Sequence, residues 1–146
     1  MDDALGSQPG YEIVAPIPAM FLIGQSIELS LKAYLLAKGV ELRTLRTRYG
    51  HKLVPCMEEA RSRGLASIVE LTTEDEAAIE VLDPLYASKQ LQYIVTGSKR
   101  FPIYGPLEGV ALKLLEAIAK HVRYPPSRLP HAFKMSPQRI GRVERL

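Results

Sequence analysis

Apolar residues cover nearly every side of a predicted helix between residues 18 and 38. They are Met20, Phe21, Leu22, Ile23, Ile27, Leu29, Leu31, Leu35 and Leu36. A helix that is apolar around most of its circumference is packed by several neighbours, so the pattern predicts a central helix from about Pro18 to Lys38. Gly39 then supplies the left-handed stop that often follows a helix.

The polar residues of this helix form one narrow stripe, because Gln25, Glu28 and Lys32 are spaced at i, i+3 and i+7. Glu28 precedes Lys32 by four residues, the favourable order for an ion pair on a helix. Buried charges are costly unless they are paired, so we expect a structural ion pair between these two residues. In the alternative interpretation Glu28 contacts His51 and orients its imidazole in a cleft.

Three more helices follow from apolar periodicity. The second runs from about His51 to Arg63 and is closed by Gly64. The third begins at Thr73, with Glu76 as the partner of a capping box, and ends near Ala87. The fourth, about Pro106 to Val122, has the clearest apolar stripe. The fold class predicted is all-α, a four- to five-helix up-and-down bundle with a long loop before the last core helix and a basic C-terminal tail.

The long connection, residues 88–106, starts with a strand-like piece at 91–95. It then interleaves cations with aromatic residues: Tyr93, Lys99, Arg100, Phe101 and Tyr104. Aromatic rings next to cations, just before a helix N-terminus, could stack a base and hold a phosphate. The alternative is that the rings pack on the bundle while the charges face water.

Composition indicates a soluble single domain. The chain has 146 residues, of which 47% are apolar and 24% charged, values ordinary for a globular protein. Cys56 is the only cysteine, so no intramolecular disulfide can form. It lies on the apolar face of the second helix, which predicts a core position and fits a cytoplasmic, reducing setting. The most apolar stretch, 13–27, is interrupted by prolines and is not expected to span a membrane.

Charge divides the chain unevenly. Residues 1–122 contain 13 Lys and Arg against 15 Asp and Glu, whereas residues 123–146 contain six against one. We therefore expect a flexible leader at 1–17, a helical bundle at 18–122 and a basic, proline-containing extension at 123–146. Arg123 and Arg128 in that extension are candidate RNA contacts, and the alternative is an extension that is solvated or docks on a protein partner.

Two stretches resemble the HEPN domain family. One is Ser-Ile-Glu-Leu-Ser-Leu-Lys-Ala-Tyr-Leu-Leu at 26–36; the other is Gly-His-Lys-Leu at 50–53, followed by Glu58, Glu59, Ala60 and Gly64. The resemblance implies a four- or five-helix bundle that commonly dimerises and is linked to RNA. Some members are metal-independent ribonucleases of toxin–antitoxin or defence systems, and others are inactive RNA- or nucleotide-associated modules.

Active members of that family carry Arg, four to six residues, then His on a late helix. In this chain the spacing is matched by Arg46 and His51, which lie instead at the entry to the second helix. Lys52 also stands where the family pattern usually has Asp. Both departures favour a non-catalytic module.

The leading hypothesis is therefore a HEPN-like helical module, a homodimer that binds RNA, a nucleotide or a protein partner such as a nucleotidyltransferase or an antitoxin. The second is a metal-independent endoribonuclease: His51 would be the general base for a ribose 2′-hydroxyl, Arg46 would neutralise the phosphate and Glu28 would support His51. The third is a purely structural interaction protein. No cofactor is implied, and three histidines with one cysteine, without clustered spacing, predict no metal site.

Overall fold

The computed structural model describes residues 17–92 and 100–122, and the regular elements in these ranges are all helical. Five helices follow one another: α1 Ile17–Ala37, α2 Leu42–Thr44, α3 Leu53–Ser62, α4 Thr73–Ala87 and α5 Tyr104–His121. A π-helical turn, Leu45–Tyr49, continues α2, and a 3-10 turn, Leu65–Ser67, follows α3. The predicted all-α bundle is confirmed.

Helix α1 is the centre of the bundle and packs against α3, α4 and α5. One hydrophobic cluster joins these helices, and the following members of it are completely buried: Ile27, Leu31 and Leu35 on α1, Leu53 on α3, Leu82 on α4 and Leu114 on α5. Each such side chain contributes roughly 1.5–3 kcal/mol when it leaves water. Packing of α1 on three neighbours explains why its sequence is apolar on most sides.

The ends of the first two predicted helices are close to those observed. Gly39 and Gly64 both adopt positive φ, +85° and +91°, as expected for left-handed stops. Helix α3, however, begins at Leu53 and not at His51, because the carboxylate of Asp83 accepts a hydrogen bond from the backbone N–H of Leu53 at 2.6 Å. A carboxylate at a helix N-terminus accepts a hydrogen bond from a free backbone amide, and its negative charge interacts favourably with the helix dipole.

The predicted capping box of α4 is wrong by one residue. Thr72 is the cap: its hydroxyl accepts from Asp75 N–H at 3.2 Å, and Asp75 Oδ2 accepts from Thr72 N–H at 2.9 Å. Lys113 of α5 donates to the same Oδ2 at 2.6 Å. This contact from a distant helix selects Asp75, and it ties the start of α4 to α5.

Two further differences concern the connections. The segment between α1 and α3, expected to be a loop, contains α2 and the π-helical turn, anchored by the buried residues Leu45 and Tyr49. Of the strand-like piece 91–95, Leu91 and Gln92 lie in a turn that follows α4. Its other three residues lie outside the described ranges.

Helix α1 also has the length and composition of a membrane-spanning helix. Eight of its residues are buried within the bundle, including the charged Glu28. The core helix of a water-soluble bundle satisfies the same criterion, so this helix gives only weak evidence for a membrane span.

Candidate functional site

The carboxylate of Glu28 lies at the centre of a buried polar cluster. Its Oε1 accepts from Lys32 Nζ at 2.5 Å, which is the ion pair expected from the sequence. Its Oε2 is 2.6 Å from the donating hydroxyl of Tyr86 and 3.0 Å from His51 Nδ1. Only 6% of Glu28 is exposed, so three side chains from three segments replace the water that the carboxylate would otherwise bind.

These donors keep Glu28 ionised. Burial alone would raise its pKa, but the hydrogen bonds from Lys32, Tyr86 and His51 outweigh burial and hold the pKa below its ordinary value of 4.5. Burial, and then donation to Glu28, raises the pKa of Tyr86 far above its ordinary value. At neutral pH the cluster therefore holds a carboxylate and a protonated tyrosine.

The ring of Tyr86 reaches Glu28 because residue 24 has no side chain. A Cβ at Gly24 would lie 2.6 Å from Tyr86 Cδ2, closer than packed atoms approach. The ring also packs against Phe21, with 5.9 Å between centroids. Gly24 stands one helical turn before Glu28, so it is the glycine that opens the way to the carboxylate.

Lys32 positions the chain segment that carries His51. Its ammonium donates to the carbonyl oxygen of Gly50 at 2.5 Å as well as to Glu28. Gly50 has φ +52° and ψ −119°, a conformation that side chains make strained. Because α1 binds both Gly50 and His51, the segment between the π-helical turn and α3 is held against the centre of the bundle.

His51 is held by a hydrogen bond to Glu28 and is also exposed to solvent. Its side chain is 60% exposed, whereas the side chain of Glu28 is 8% exposed. An ionised carboxylate can only accept, so we assign the proton to Nδ1, the nitrogen that faces Glu28. In the neutral imidazole Nε2 then carries the free lone pair. A carboxylate that fixes a histidine in this way prepares it as a general base.

Several exposed cations are close to His51 in the sequence. Arg43, Arg46, Arg48 and Lys52 are exposed, and no Asp or Glu occurs between residues 42 and 57. We call these four residues and His51 the basic surface. Acidic residues border this surface on two sides: Glu41 immediately precedes α2, and a groove of about 290 Å³ that includes Arg48 and Lys52 also includes Glu58 and Glu59.

The structure brings together only two of the three residues predicted to act together. Glu28 and His51 are in contact, whereas Arg46 is exposed and, within the described residues, makes no hydrogen bond or ion pair with either. The backbone of Arg46 is nevertheless close to the residue before His51. The carbonyl oxygen of Arg46 lies 3.9 Å from the position that a Cβ would take on Gly50.

The other predicted RNA contacts do not join this site within the described residues. Arg100 is exposed and lines a cavity of about 240 Å³ together with Phe101 and Ala77 of α4. Ala77 precedes Tyr86 by nine residues, or about 13 Å along a helix. Tyr104 is the first residue of α5 and packs, half-buried, against the core. The remaining candidates, Tyr93, Lys99, Arg123 and Arg128, lie outside the described residues.

Sequence reasoning missed two supporting residues of the site, Gly24 and Tyr86. Tyr86 is 58 positions from Glu28, and no local pattern marks it as a polar partner. Gly24 interrupts an apolar helix, which is a signal for close packing, but the partner is not readable from the chain. Arg43 and Arg48 were also not predicted as site residues, although the run without Asp or Glu that contains them can be read from the sequence.

A second groove exists, but its residues are different. It has a volume of about 660 Å³ and is lined by residues 68–70 and by one face of α5, including Glu116 and Lys120. Its charges are mixed, and it includes neither Glu28 nor His51. Within 17–92 and 100–122 no group of three or more His, Cys, Asp or Glu side chains is placed to hold a metal ion.

Comparisons of the chain with protein-family models, with curated proteins and with solved structures find no match. The class that the structure defines is an all-α helical bundle with an exposed histidine hydrogen-bonded to a buried glutamate. The resemblance to the HEPN family stays a prediction from residues 26–36 and 50–53.

Proposed function

We propose that this protein binds single-stranded RNA at the basic surface. The observation that carries the proposal is that four exposed cations and an exposed imidazole lie within ten consecutive residues, 43–52, which contain no acidic residue. Glu28 and Lys32 fix this stretch from inside the bundle. A cationic surface that the fold already holds in place can bind phosphates without the entropy cost of becoming ordered.

Single-stranded RNA fits this surface better than a duplex or an acidic protein. The four cations displace the counterions that are condensed on the phosphates, and release of these counterions supplies affinity. Guanidinium and imidazole planes can stack on unpaired bases, which a duplex does not present. The sequence resemblance to a family that is linked to RNA adds support of a different kind.

The test is fluorescence anisotropy with a labelled single-stranded RNA, measured across a range of salt concentrations. The variant Arg43→Gln/Arg46→Gln/Arg48→Gln removes three charges from the basic surface. The matched control, Lys38→Gln/Lys89→Gln/Lys120→Gln, removes three exposed charges elsewhere.

If the proposal is right, the arginine variant binds RNA at least tenfold more weakly. The slope of log affinity against log salt also becomes shallower by about 2, because each phosphate contact on a single strand accounts for about 0.7. The lysine control keeps the slope of the natural protein. Equal losses in both variants would show unspecific attraction, and tighter binding to poly-glutamate than to RNA would indicate an acidic protein partner.

A second candidate function, a metal-independent endoribonuclease, is favoured by the hydrogen bond from His51 Nδ1 to Glu28. In this reaction Nε2 takes the proton of a ribose 2′-hydroxyl, and the 2′-oxygen forms a bond to phosphorus. The bond from phosphorus to the 5′-oxygen breaks, and that oxygen takes a proton from water. The products are a 2′,3′-cyclic phosphate and a 5′-hydroxyl. Glu28 is the positioning residue, and Arg46 would balance charge on the phosphate.

Cleavage is tested with end-labelled RNA in the presence of a chelator. Loss of a general base costs about 10²–10⁴-fold in rate, so His51→Ala should remove cleavage while its helical circular dichroism is kept. A 2′-deoxy substitution at the cut position should block cleavage in the natural protein. Intact RNA after prolonged incubation with the natural protein would exclude this reaction and leave the binding proposal standing.

A further inference from the structure

The imidazole of His51 has one ring nitrogen bound to the protein and the other free. Nδ1 lies 3.0 Å from Glu28 Oε2, and the ring of Tyr86 meets the imidazole nearly at a right angle, with 6.2 Å between centroids. These two contacts orient a side chain that is 60% exposed. Within the described residues Nε2 makes no hydrogen bond. Because Nδ1 faces the buried carboxylate, the part of the ring that carries Nε2 is the part open to a reagent in solution.

A carboxylate behind an imidazole makes the opposite nitrogen a better nucleophile as well as a better base. It fixes the proton on Nδ1 and raises the basicity of the ring. When Nε2 forms a bond to an electrophile, the ring acquires a positive charge, and the ionised Glu28 is in hydrogen-bond contact with that ring. Histidine is one of the side chains that form covalent intermediates in this way. The geometry of His51 therefore suits covalent chemistry at Nε2, in addition to proton transfer.

The charges near His51 select the kind of electrophile. Lys52 follows it directly, and Arg43, Arg46 and Arg48 are exposed within the preceding eight residues. A cationic surface raises the local concentration of anions, and guanidinium groups bind phosphoryl oxygens through paired hydrogen bonds. A neutral electrophile gains nothing from these cations. An anionic phosphoryl donor is therefore the reagent that the basic surface favours.

We propose that His51 is a modification site, and that its Nε2 accepts a phosphoryl group from a small donor of the acyl phosphate or phosphoramidate class. The lone pair of Nε2 forms a bond to phosphorus while the bond from phosphorus to the leaving atom breaks. The electron pair of the broken bond leaves with the donor's carboxylate, or with ammonia when the donor is N-protonated phosphoramidate. The product is a phosphorylated imidazolium whose Nδ1–H still donates to Glu28, so the transfer does not require removal of a proton.

Phosphorylation would lower the positive charge of the basic surface. A phosphoryl group brings about two negative charges, which repel the phosphates that the four cations attract. The modification would therefore release RNA. This regulatory consequence rests on the proposed RNA function, whereas the modification itself does not.

The test treats the full chain with phosphoramidate at about pH 8, above the range in which an ordinary histidine becomes charged. Peptide mapping by mass spectrometry then follows phosphorylation at each of the three histidines. His121 is the control within the chain: it is also exposed, its ring contacts Tyr34, and within the described residues it makes no hydrogen bond to a carboxylate. We expect His51 to react roughly 10-fold faster than His121, and phosphorus NMR to place the phosphoryl group on Nε2.

Variants separate the contribution of the carboxylate from that of the cations. Glu28→Gln should slow phosphorylation of His51 to the rate of His121, and circular dichroism confirms that this variant is folded. Arg43→Gln/Arg46→Gln keeps the buried cluster and should slow phosphorylation more than it slows the reaction of His51 with diethyl pyrocarbonate, a neutral electrophile. Lys38→Gln/Lys89→Gln removes two exposed charges elsewhere and should alter neither rate.

Equal rates at His51 and His121, phosphorylation of His51 at Nδ1, or equal slowing of both reagents in the arginine variant would overturn the proposal. RNA binding by the phosphorylated protein is measured separately by fluorescence anisotropy, and we expect it to be at least tenfold weaker. Unchanged RNA binding by protein phosphorylated at His51 would overturn the RNA-binding surface and leave the modification site standing. Absence of phosphorylation in protein that binds RNA would overturn the modification site alone.

Discussion

The hydroxyl of Tyr86 donates to the same oxygen of Glu28 that His51 Nδ1 contacts, at 2.6 Å and 3.0 Å. Tyr86 belongs to α4 and Glu28 to α1, so the carboxylate acquires its full set of donors only when these helices are docked. Docking of α4 on α1 therefore completes the hydrogen bonds of the carboxylate that His51 contacts.

Replacing the buried carboxylate should cost much of the stability of the fold. Glu28→Gln removes the anion that three donors face, and one of them, Lys32, is itself largely buried. Breaking a buried ion pair from one side costs about 3 kcal/mol. Urea unfolding measures this loss. Glu80→Gln, at an exposed position of the same chain, should leave the urea midpoint unchanged. Equal midpoints for the two variants would show that the cluster adds no stability.

Acid should weaken the fold through the same residue. The pKa of Glu28 is lower in the folded protein than its ordinary value of 4.5, so its contribution is complete above the unfolded pKa and is lost as pH falls through the folded one. Asp75, whose folded pKa also lies below its ordinary value of 3.8, acts in the same direction. We expect the urea midpoint to be level between about pH 7 and 5.5 as far as these two carboxylates decide it, and to fall below pH 4.5.

Glu28→Gln separates the two contributions to this pH profile. In the variant the urea midpoint should fall less steeply with decreasing pH, because Asp75 is then the one of these two carboxylates that still takes up a proton. A decline as steep as that of the natural protein would mean that other groups control acid unfolding. The measurement is a series of urea titrations of both proteins at matched ionic strength.

A methyl group at residue 24 should be far more harmful than one elsewhere in a helix. Gly24→Ala places a Cβ 2.6 Å from the ring of Tyr86, and such overpacking costs typically 1–3 kcal/mol. Gly109→Ala is the control, since nothing lies within 4 Å of its new Cβ in α5, and alanine favours a helix by about 0.5–1 kcal/mol over glycine. Thermal unfolding should move in opposite directions for the two variants. A stabilised Gly24→Ala protein would contradict the observed packing.

The start of α3 depends on a side chain of α4. Asp83→Ala removes the acceptor of the Leu53 N–H, and we expect a loss of about 1.5–3 kcal/mol because a hydrogen bond to a charged group is lost. Asp83→Asn retains an acceptor oxygen and should recover part of this loss. Chemical denaturation of the three proteins should rank them natural, Asn, Ala. If the Asn and Ala variants were equally stable, the carboxylate charge alone would be responsible.

The sequence predicted the elements whose signals are local. The all-round apolar pattern of α1 and the stop glycines at 39 and 64 depend on neighbouring residues, and the structure agrees with them. The pair Glu28–Lys32 is one helical turn apart, so its spacing alone predicted the contact. The contact of Glu28 with His51 was stated as an alternative, and it is present together with the ion pair.

The remaining features depend on contacts between distant segments. Thr72 and Thr73 are equally good helix caps by themselves, and Lys113 on α5 decides between neighbouring acidic partners. The π-helical turn is anchored by Leu45 and Tyr49, two apolar residues in an otherwise polar stretch, which is too little periodicity to predict a helix. Only the packing of α4 on α1 places Tyr86 at the carboxylate.

The ammonium of Lys32 reaches Gly50 from beneath the basic surface, which has a consequence for how that surface could change. The ammonium and carboxylate of α1 hold the segment at Gly50 and His51 from within. Of the arginines outside, Arg48 lies over the ring of Tyr49, 5.5 Å from its centroid, whereas Arg43 and Arg46 make no side-chain hydrogen bond or ion pair within the described residues. Single substitutions of Arg43 or Arg46 can therefore alter what the protein attracts while the fold stays constant. Evolution, or an engineer, can therefore change the ligand preference of the basic surface by one charge at a time without changing the helices beneath it.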